Sequence, residues 1–329
     1  MLRYSVIFLI ISATHAFMKY DYSFSSLASP SGGYFAAIGV AIDKSSNQYV
    51  IDSGNFPNKI FKIDKVTNSI TTLDTFSAIP AATYIGIATD NTKNLLYVVD
   101  GFNLNVGGGN KKVYQTDLSG NHFFSLPGPN GPDGAGFGVP ISVTVDSHSN
   151  VYIVDAYNQC IYKYNGAKTT QVPITNGVTF NAPTSIDLDS IGNIYLVDRG
   201  ASKVFKISSK GVATSLPGPG GADGAGYDHV YGVAVDIYSN IFVSAYGSNH
   251  IYQIDTSNNI AVQITDPEKG YGTYPYGDGK ELGYLATIKI DANNNLYASA
   301  NSIVFKISLA ISKPVVTKAP VPMSSFSQN

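Results

Sequence analysis

One cysteine, Cys160, serves all 329 residues, so no internal disulfide can form and packing alone must hold the core. Charge is sparse at 13% of residues, and the formal net charge is −2. Apart from Arg3, the only arginine is Arg199. Binding to DNA or RNA runs on clustered Lys and Arg, and no such cluster occurs, which argues against nucleic acid as a partner. Glutamate is confined to Glu268 and Glu281. No apolar run reaches the ~20 residues of a membrane-spanning helix, so no membrane span is expected. Long amphipathic helical patterns and G-x-S-x-G nucleophile elbows are missing as well.

What is present favours β-structure: 44% hydrophobic residues, 23 Tyr and 16 Phe, with 32 Gly and 16 Pro to make turns. Residues 1–16, MLRYSVIFLIISATHA, place Arg3 before an apolar run from Val6 to Ile11 and end in small residues at Ala16. This is the pattern of a secretory signal peptide, and it predicts cleavage after Ala16 and a secreted, extracellular chain. Residues 17–310 read as one repeat-built domain. Residues 311–329, rich in Pro, Ser and Thr, are expected to form a disordered tail.

A short unit recurs along that domain: Asp ends an apolar stretch, three residues intervene, and Asn precedes an aromatic strand. The six turns read DKSSN (43–47), DNTKN (90–94), DSHSN (146–150), DSIGN (189–193), DIYSN (236–240) and DANNN (291–295). The Asp carboxylate can accept hydrogen bonds from turn amides, and Asn tolerates the left-handed backbone that reverses the chain. Alternating strands such as GVAID and SVTVD precede the turns, and QYVID, VYIVD and IYLVD follow them. Third strands read KIFKID, KVYQTD, CIYKYN, KVFKIS, HIYQID and IVFKIS, mostly with a short fourth. Four antiparallel strands per unit, spaced 43 to 56 residues apart, define the blades of a propeller.

With these residues the chain resembles NHL-repeat β-propellers, whose blades read roughly as P-x-G-V-A-V-D, a turn with Asn, Y-V-x-D and I-x-K-F. The resemblance spans residues 20 to about 310 and implies an all-β, six-bladed β-propeller with four-stranded antiparallel blades. A ring must close, or its first and last sheets present open edges. The stretch YDYSFSSLASPSGG (20–33) reads like a fourth strand and exit loop but precedes the first unit. It is expected to close the last blade by pairing beside Ile303 to Ile307.

Two glycine-rich stretches, LPGPNGPDGAGFGVP (126–140) and LPGPGGADGAGYDHV (216–230), are near copies, and YGDGKELGY (276–284) is a looser third. A nucleotide cradle would lead from a strand into a helix N-terminus, often with a GK[ST] ending. Here each stretch leads into another strand. Glycine then serves positive φ in tight turns, and proline stiffens the exits.

In an up-and-down blade the second-to-third-strand turns and the loops between blades share one face, where the central channel opens. The residues expected to face a ligand there are Phe102, Tyr157, Asn158, Arg199, His229, Tyr231, Tyr246 and Asn249. An aromatic and amide-rich set with one cation suits a partly polar ligand: an extracellular protein, peptide or glycan.

Six-bladed propellers similar to this one include enzymes. Peptidylglycine amidating lyases bind zinc through three channel histidines, helped by a Tyr and an Arg. Tyr157 and Arg199 fall where such a pair would sit, but the strand starts carry Pro183, Thr184, Ser185, Ala286 and Thr287 where histidines are needed. Only His229 and His250 approach the expected face, His122 being placed in an outer strand and His148 in an opposite-face turn. Two imidazoles fall short of the three protein ligands usual for catalytic zinc. Gluconolactonase-like propellers use a Glu with Asn and Asp around a divalent cation, whereas Glu268 and Glu281 both fall in the long loop before the sixth unit. No cofactor or metal site is expected, and the sequence reads as a non-catalytic recognition scaffold. The alternative is a metal-dependent propeller lyase or hydrolase.

Overall fold

Each Asp-to-Asn turn separates two short apolar strands, and in the computed structural model of the chain each such pair opens a four-stranded antiparallel sheet. The structure describes residues 20–30, 36–53, 58–73, 82–101, 109–264, 285–300 and 303–311. The first described strand is β1 (Tyr20–Ser26). Blade 1 is β2 (Ala37–Ile42), β3 (Gln48–Asp52), β4 (Lys59–Ile63) and β5 (Ile70–Thr72). Blade 2 is β6 (Tyr84–Asp90), β7 (Leu95–Asp100), β8 (Lys112–Asp117) and β9 (Phe124–Ser125). Blade 3 is β10 (Pro140–Val145), β11 (Val151–Asp155), β12 (Cys160–Tyr164) and β13 (Thr169–Gln171). Blade 4 is β14 (Pro183–Leu188), β15 (Ile194–Asp198), β16 (Lys203–Ile207) and β17 (Ala213–Ser215). Blade 5 is β18 (Val230–Val235), β19 (Ile241–Ala245), β20 (His250–Asp255) and β21 (Ile260–Gln263). Blade 6 is β22 (Leu285–Ile290), β23 (Asn295–Ala300), β24 (Ile303–Ile311) and β1.

The expected closure is present. β1 lies antiparallel to β24, with Tyr20 opposite Ile311 and Ser26 opposite Phe305. The strand β24 runs one residue beyond the predicted domain end at 310. The first strands of the blades contact each other around the ring, β2 to β6, β10, β14, β18, β22 and back to β2. Among the described residues the core divides accordingly into six clusters of buried apolar side chains, each packed between two neighbouring blades. Leu27 and Ala28, just after β1, pack on the cluster joining blade 6 to blade 1.

The turns are built by their aspartates. Asp189 accepts from the amides of Ile191 and Asn193 at 3.2 and 2.8 Å, and from Asn193 Nδ2 at 2.7 Å. Asp43, Asp146, Asp236 and Asp291 repeat the pattern. The expectation that Asn takes the left-handed conformation holds only for Asn94 (φ 56°). In the other five turns the positive φ falls one residue earlier, on Ser46, Ser149, Gly192, Ser239 and Asn294. There the Asn side chain is engaged by the Asp carboxylate, and the residue before it makes the reversal.

The carboxylates also hold the second strands. Tyr49, Tyr152, Tyr195 and Tyr297 donate their hydroxyls to Asp43, Asp146, Asp189 and Asp291 at 3.2, 3.3, 3.1 and 3.0 Å. Burial, and then the adjacent carboxylate, push the phenols of Tyr49, Tyr195 and Tyr297 above their ordinary value. Burial likewise raises Tyr84 and Tyr97. A phenol raised in the folded state stabilises fully below its unfolded pKa of about 10 and loses that contribution as pH climbs toward the folded value. The fold should therefore unfold cooperatively above about pH 10. Absorbance at 295 nm, clean because the chain has no tryptophan, should rise together with loss of the β circular-dichroism signal. Phenols ionising near their ordinary pKa with the sheet signal intact would contradict the placement of these rings.

The glycine loops are turns, as the sequence predicts. Gly128 donates to Gly131 O, and Gly218 to Gly221 O, each at 2.8 Å. A Cβ on either Gly128 or Gly218 would lie 2.2 Å from a carbonyl oxygen, of Ala135 and Ala225 respectively, which requires glycine at both. Each loop ends by burying an aromatic ring on the third strand of the next blade, Phe137 on Tyr162 and Tyr227 on Tyr252. The looser third stretch, 276–284, lies outside the described residues.

Candidate functional site

At the mouth end of every blade the pairing of first and second strands slips by a β-bulge. The residues inside the slip are Ile38, Ile85, Ile141, Thr184 and Tyr231, with Ala286 and Thr287 in blade 6. Bulges re-aim side chains, and here they turn a ring of them toward the axis. All of these except Ala286 line a cavity of about 610 Å³ in the channel, the range of ordinary small-ligand sites.

The second strands set the rim. Four of them end in an Asp that is at most 4% exposed: Asp52, Asp100, Asp155 and Asp198. Each carboxylate accepts from the amides that lead into its blade. Asp198 takes Asn181 N at 2.7 Å and Ala182 N at 2.9 Å, and Asp155 takes Gly138 N and Val139 N at 2.7 and 2.9 Å. The next residue is then fixed by its own amide, as Ala156 N to Val139 O at 2.9 Å and Arg199 N to Ala182 O at 3.0 Å. In blade 5, where Ala245 replaces the Asp, the backbone bond from Tyr246 N to His229 O at 2.9 Å remains. Arg199 and Tyr157 thus reach the rim from adjacent blades, both exposed, and both line the cavity.

The wall has two halves. Ile38, Ile85, Ile87, Val139, Ile141 and Val143 from blades 1 to 3 make it aliphatic on one side. Blades 4 to 6 supply Thr184, Ser185, Arg199, Tyr231, Thr287 and Lys289. Tyr231 is half-buried, its ring 6.3 Å from that of Tyr246, and Thr184 Oγ1 donates to its carbonyl at 3.0 Å. Burial raises its phenol pKa, opposed by the nearby Arg199 guanidinium.

Below the cavity an ion pair crosses the channel. Lys289 Nζ lies 3.5 Å from Asp187 Oδ1 and donates to Ile186 O at 3.2 Å. Asp187 also accepts from Thr144 Oγ1 at 3.1 Å and from Val235 N at 2.9 Å. Lys289 and Asp187 border a second cavity of about 150 Å³ deeper in the channel, so the pair marks the boundary between the two.

Of the residues expected to face a ligand, Tyr157, Arg199 and Tyr231 come together in this cavity. Asn158 is engaged in its own turn, donating to Asp155 Oδ2, Gly136 O and Tyr162 OH at 3.1, 3.0 and 3.2 Å. His229 has φ 53° and pairs with Asp228 at 2.6 Å, away from the lining. Tyr246 stands behind Tyr231, and Asn249 takes φ 55° in the β19–β20 turn. Phe102 lies outside the described residues. His122, expected in an outer strand, sits in the turn after β8 with φ 56°, 3.1 Å from Asp117 Oδ2. His250 has its pKa lowered by burial and faces Tyr252 OH at 3.4 Å. Among the described residues no three His, Cys, Asp or Glu side chains gather as a metal-binding group. Glu268 and Glu281 lie outside the described residues.

The aliphatic wall, Asp187 and Lys289 were not singled out from the sequence. The signal was in the first-strand residues that share one register level, which read Ala41, Ala88, Thr144, Asp187, Ala234 and Lys289. Two opposite charges at an otherwise small-residue level mark a pair across the ring.

No known family's sequence profile matches the chain, and no curated protein matches it in sequence. Solved structures do share its fold. A protein of unknown function from Bacteroides thetaiotaomicron superposes with a TM-score of 0.66 at 14% identity, over 88% of this chain and 76% of that one. A gluconolactonase from Xanthomonas campestris gives 0.62 at 12% identity, over 88% and 90% of the two chains. Virginiamycin B lyase from Staphylococcus aureus gives 0.56 at 14%, over 88% and 100%, and a chain of a nidogen–laminin complex gives 0.55 at 16%, over 74% and 82%. At these identities the likeness is one of fold: the chain is a six-bladed β-propeller, similar in architecture to lyase, lactonase and protein-binding propellers alike.

Proposed function

We propose that the protein is a secreted, non-catalytic recognition module of the NHL-repeat type, which holds a segment of an extracellular protein, peptide or glycan at the channel mouth. The observation that carries this reading is the two-sided cavity, with Arg199 and Tyr231 on its polar side, an aliphatic wall from blades 1 to 3, and Tyr157 on the rim. A pocket with a few convergent polar groups over apolar lining is the usual form of a binding site. Micromolar affinity needs about −8 kcal/mol, and one hydrogen bond to a charged group supplies about 1.5 to 3, so Arg199 must act together with the wall. The signal-like leader supports export, and the nidogen–laminin neighbour supports protein recognition by this fold.

Peptide and glycan arrays probed with the purified protein test the reading. Hits are expected that weaken at least about tenfold in Arg199→Ala, an exposed position whose truncation leaves the fold unchanged. Hits indifferent to Arg199→Ala would remove the site from the channel mouth. Stoichiometric zinc or calcium in the purified protein would overturn the non-catalytic reading in favour of a lyase or lactonase.

A further inference from the structure

Among the described residues the cavity's lining carries charge of one sign only: Arg199 and Lys289 border it, and no Asp or Glu does, in a chain whose formal net charge is −2. Lys289 is engaged by Asp187 at 3.5 Å. Arg199 is different: among the described residues no carboxylate pairs with its guanidinium. Its neighbour Asp198 faces the other way, taken up by backbone amides at 2.7 and 2.9 Å. A guanidinium beside a half-buried phenol, over a cavity, presents its fork of donors to whatever enters.

The opposite wall excludes a purely polar occupant. Ile38, Ile85 and Ile141 occupy the same bulge position in three successive blades, where Thr184 and Tyr231 stand in the next two. Sugar rings are held by aromatic platforms and dense hydrogen bonding; a run of isoleucines offers neither. It offers apolar area, worth about 25 cal/mol per Å² removed from water. The split is therefore spatial: hydrocarbon against blades 1 to 3, anion toward blade 4.

We infer that the channel mouth binds a carboxylate carried on a branched or aromatic hydrocarbon body, with the carboxylate on Arg199 and the body against Ile85 and Ile141. This deepens the recognition reading and rests on it. The same chemistry occurs in free organic acids and in the C-terminal residue of a peptide. Occupancy by either is settled by matched probes.

Calorimetric titration of the full chain with 4-methylpentanoate and 4-methylpentanamide, and with N-acetyl-Leu-Phe as acid and as C-terminal amide, tests the inference. At least one acid is expected to bind about tenfold or more tighter than its amide, since a charge-assisted contact is lost in the amide. The acid that does so identifies the source. Arg199→Gln should erase the acid-over-amide preference and Arg199→Lys retain part of it. Ile141→Trp should weaken acid and amide together by filling the apolar half. Circular dichroism matching the parent confirms that each variant is folded. Equal affinity for acid and amide, a preference that survives Arg199→Gln, or no acid bound up to about 10 mM would overturn the inference. In each of those cases an array hit lost in Arg199→Ala would leave the recognition reading standing; silence in both experiments would end both.

Discussion

A chain lacking residues 20–28 should unfold roughly 10 to 25 °C below the full-length protein and self-associate on size-exclusion chromatography. The deletion removes β1 with all seven of its pairings to β24, and the bond from Leu27 N to Val304 O at 2.9 Å. It also removes Leu27 and Ala28 from the cluster that joins the last blade to the first. Phe305, Ile307 and Leu309, now at most 8% exposed, would lie on an open edge. Opening three such side chains costs about 4 to 8 kcal/mol, and a domain of this size loses roughly 2 to 4 °C per kcal/mol. An unpaired β24 also offers a ladder to a second molecule. An unchanged calorimetric midpoint would show that the pairing of β1 contributes nothing to ring closure.

Asp198→Ala is the most damaging single substitution we expect near the site. Asp198 is fully buried and accepts from the amides of Asn181, Ala182 and Ala201 at 2.7, 2.9 and 3.3 Å. Truncation leaves these donors unpaired, at about 1 to 3 kcal/mol each before relaxation, for a net loss of about 3 to 5 kcal/mol. Asp198→Asn keeps one acceptor and should cost about half as much. Urea unfolding of the two variants measures the difference. Because Arg199 is held by the same strand junction, through its amide to Ala182 O at 3.0 Å, ligand binding should weaken in step with stability. Blade 5 shows why the effect is local: with Ala245 at this position, Gly247 N reaches Asp228 O at 3.0 Å beside the bond from Tyr246 N to His229 O. A loss under about 1 kcal/mol for Asp198→Ala would mean that the amides find such substitutes in blade 4 too.

The blades were legible because their turns are chemically specific. A carboxylate that must satisfy two turn amides leaves the same Asp-to-Asn imprint six times, and in five of the turns it engages the Asn side chain as well. The closing strand was legible from an excess: a fourth-strand pattern at 20–33 with no blade of its own. The site was read only in part, because pattern gives the face of the ring but not the aim of each side chain. Tyr157 and Asn158 are neighbours in one turn, yet only Tyr157 enters the cavity, while Asn158 answers to Asp155 and Gly136. The bulge residues were hidden for a similar reason. A strict alternation would send Ile85 and Ile141 elsewhere, and only the register slip beside Gly86 and Ser142 turns them inward. The left-handed turn residue was misplaced because the Asn that tolerates positive φ is also the side chain that the Asp recruits, and the second role decided its conformation in five turns.

The pairing of β1 with β24 has a bearing on how the protein is made. Synthesis delivers β1 ahead of every blade and its partner β24 after the other five, so the earlier strand must wait, unpaired, until the strands between them have left the ribosome. The most sequence-distant contact in the ring is also the one that completes it, which makes folding slow relative to its stability and leaves any prematurely terminated chain an unclosed arc. The last sheet can be completed only once β24 has emerged, giving quality-control machinery a single checkpoint at which open copies differ from closed ones.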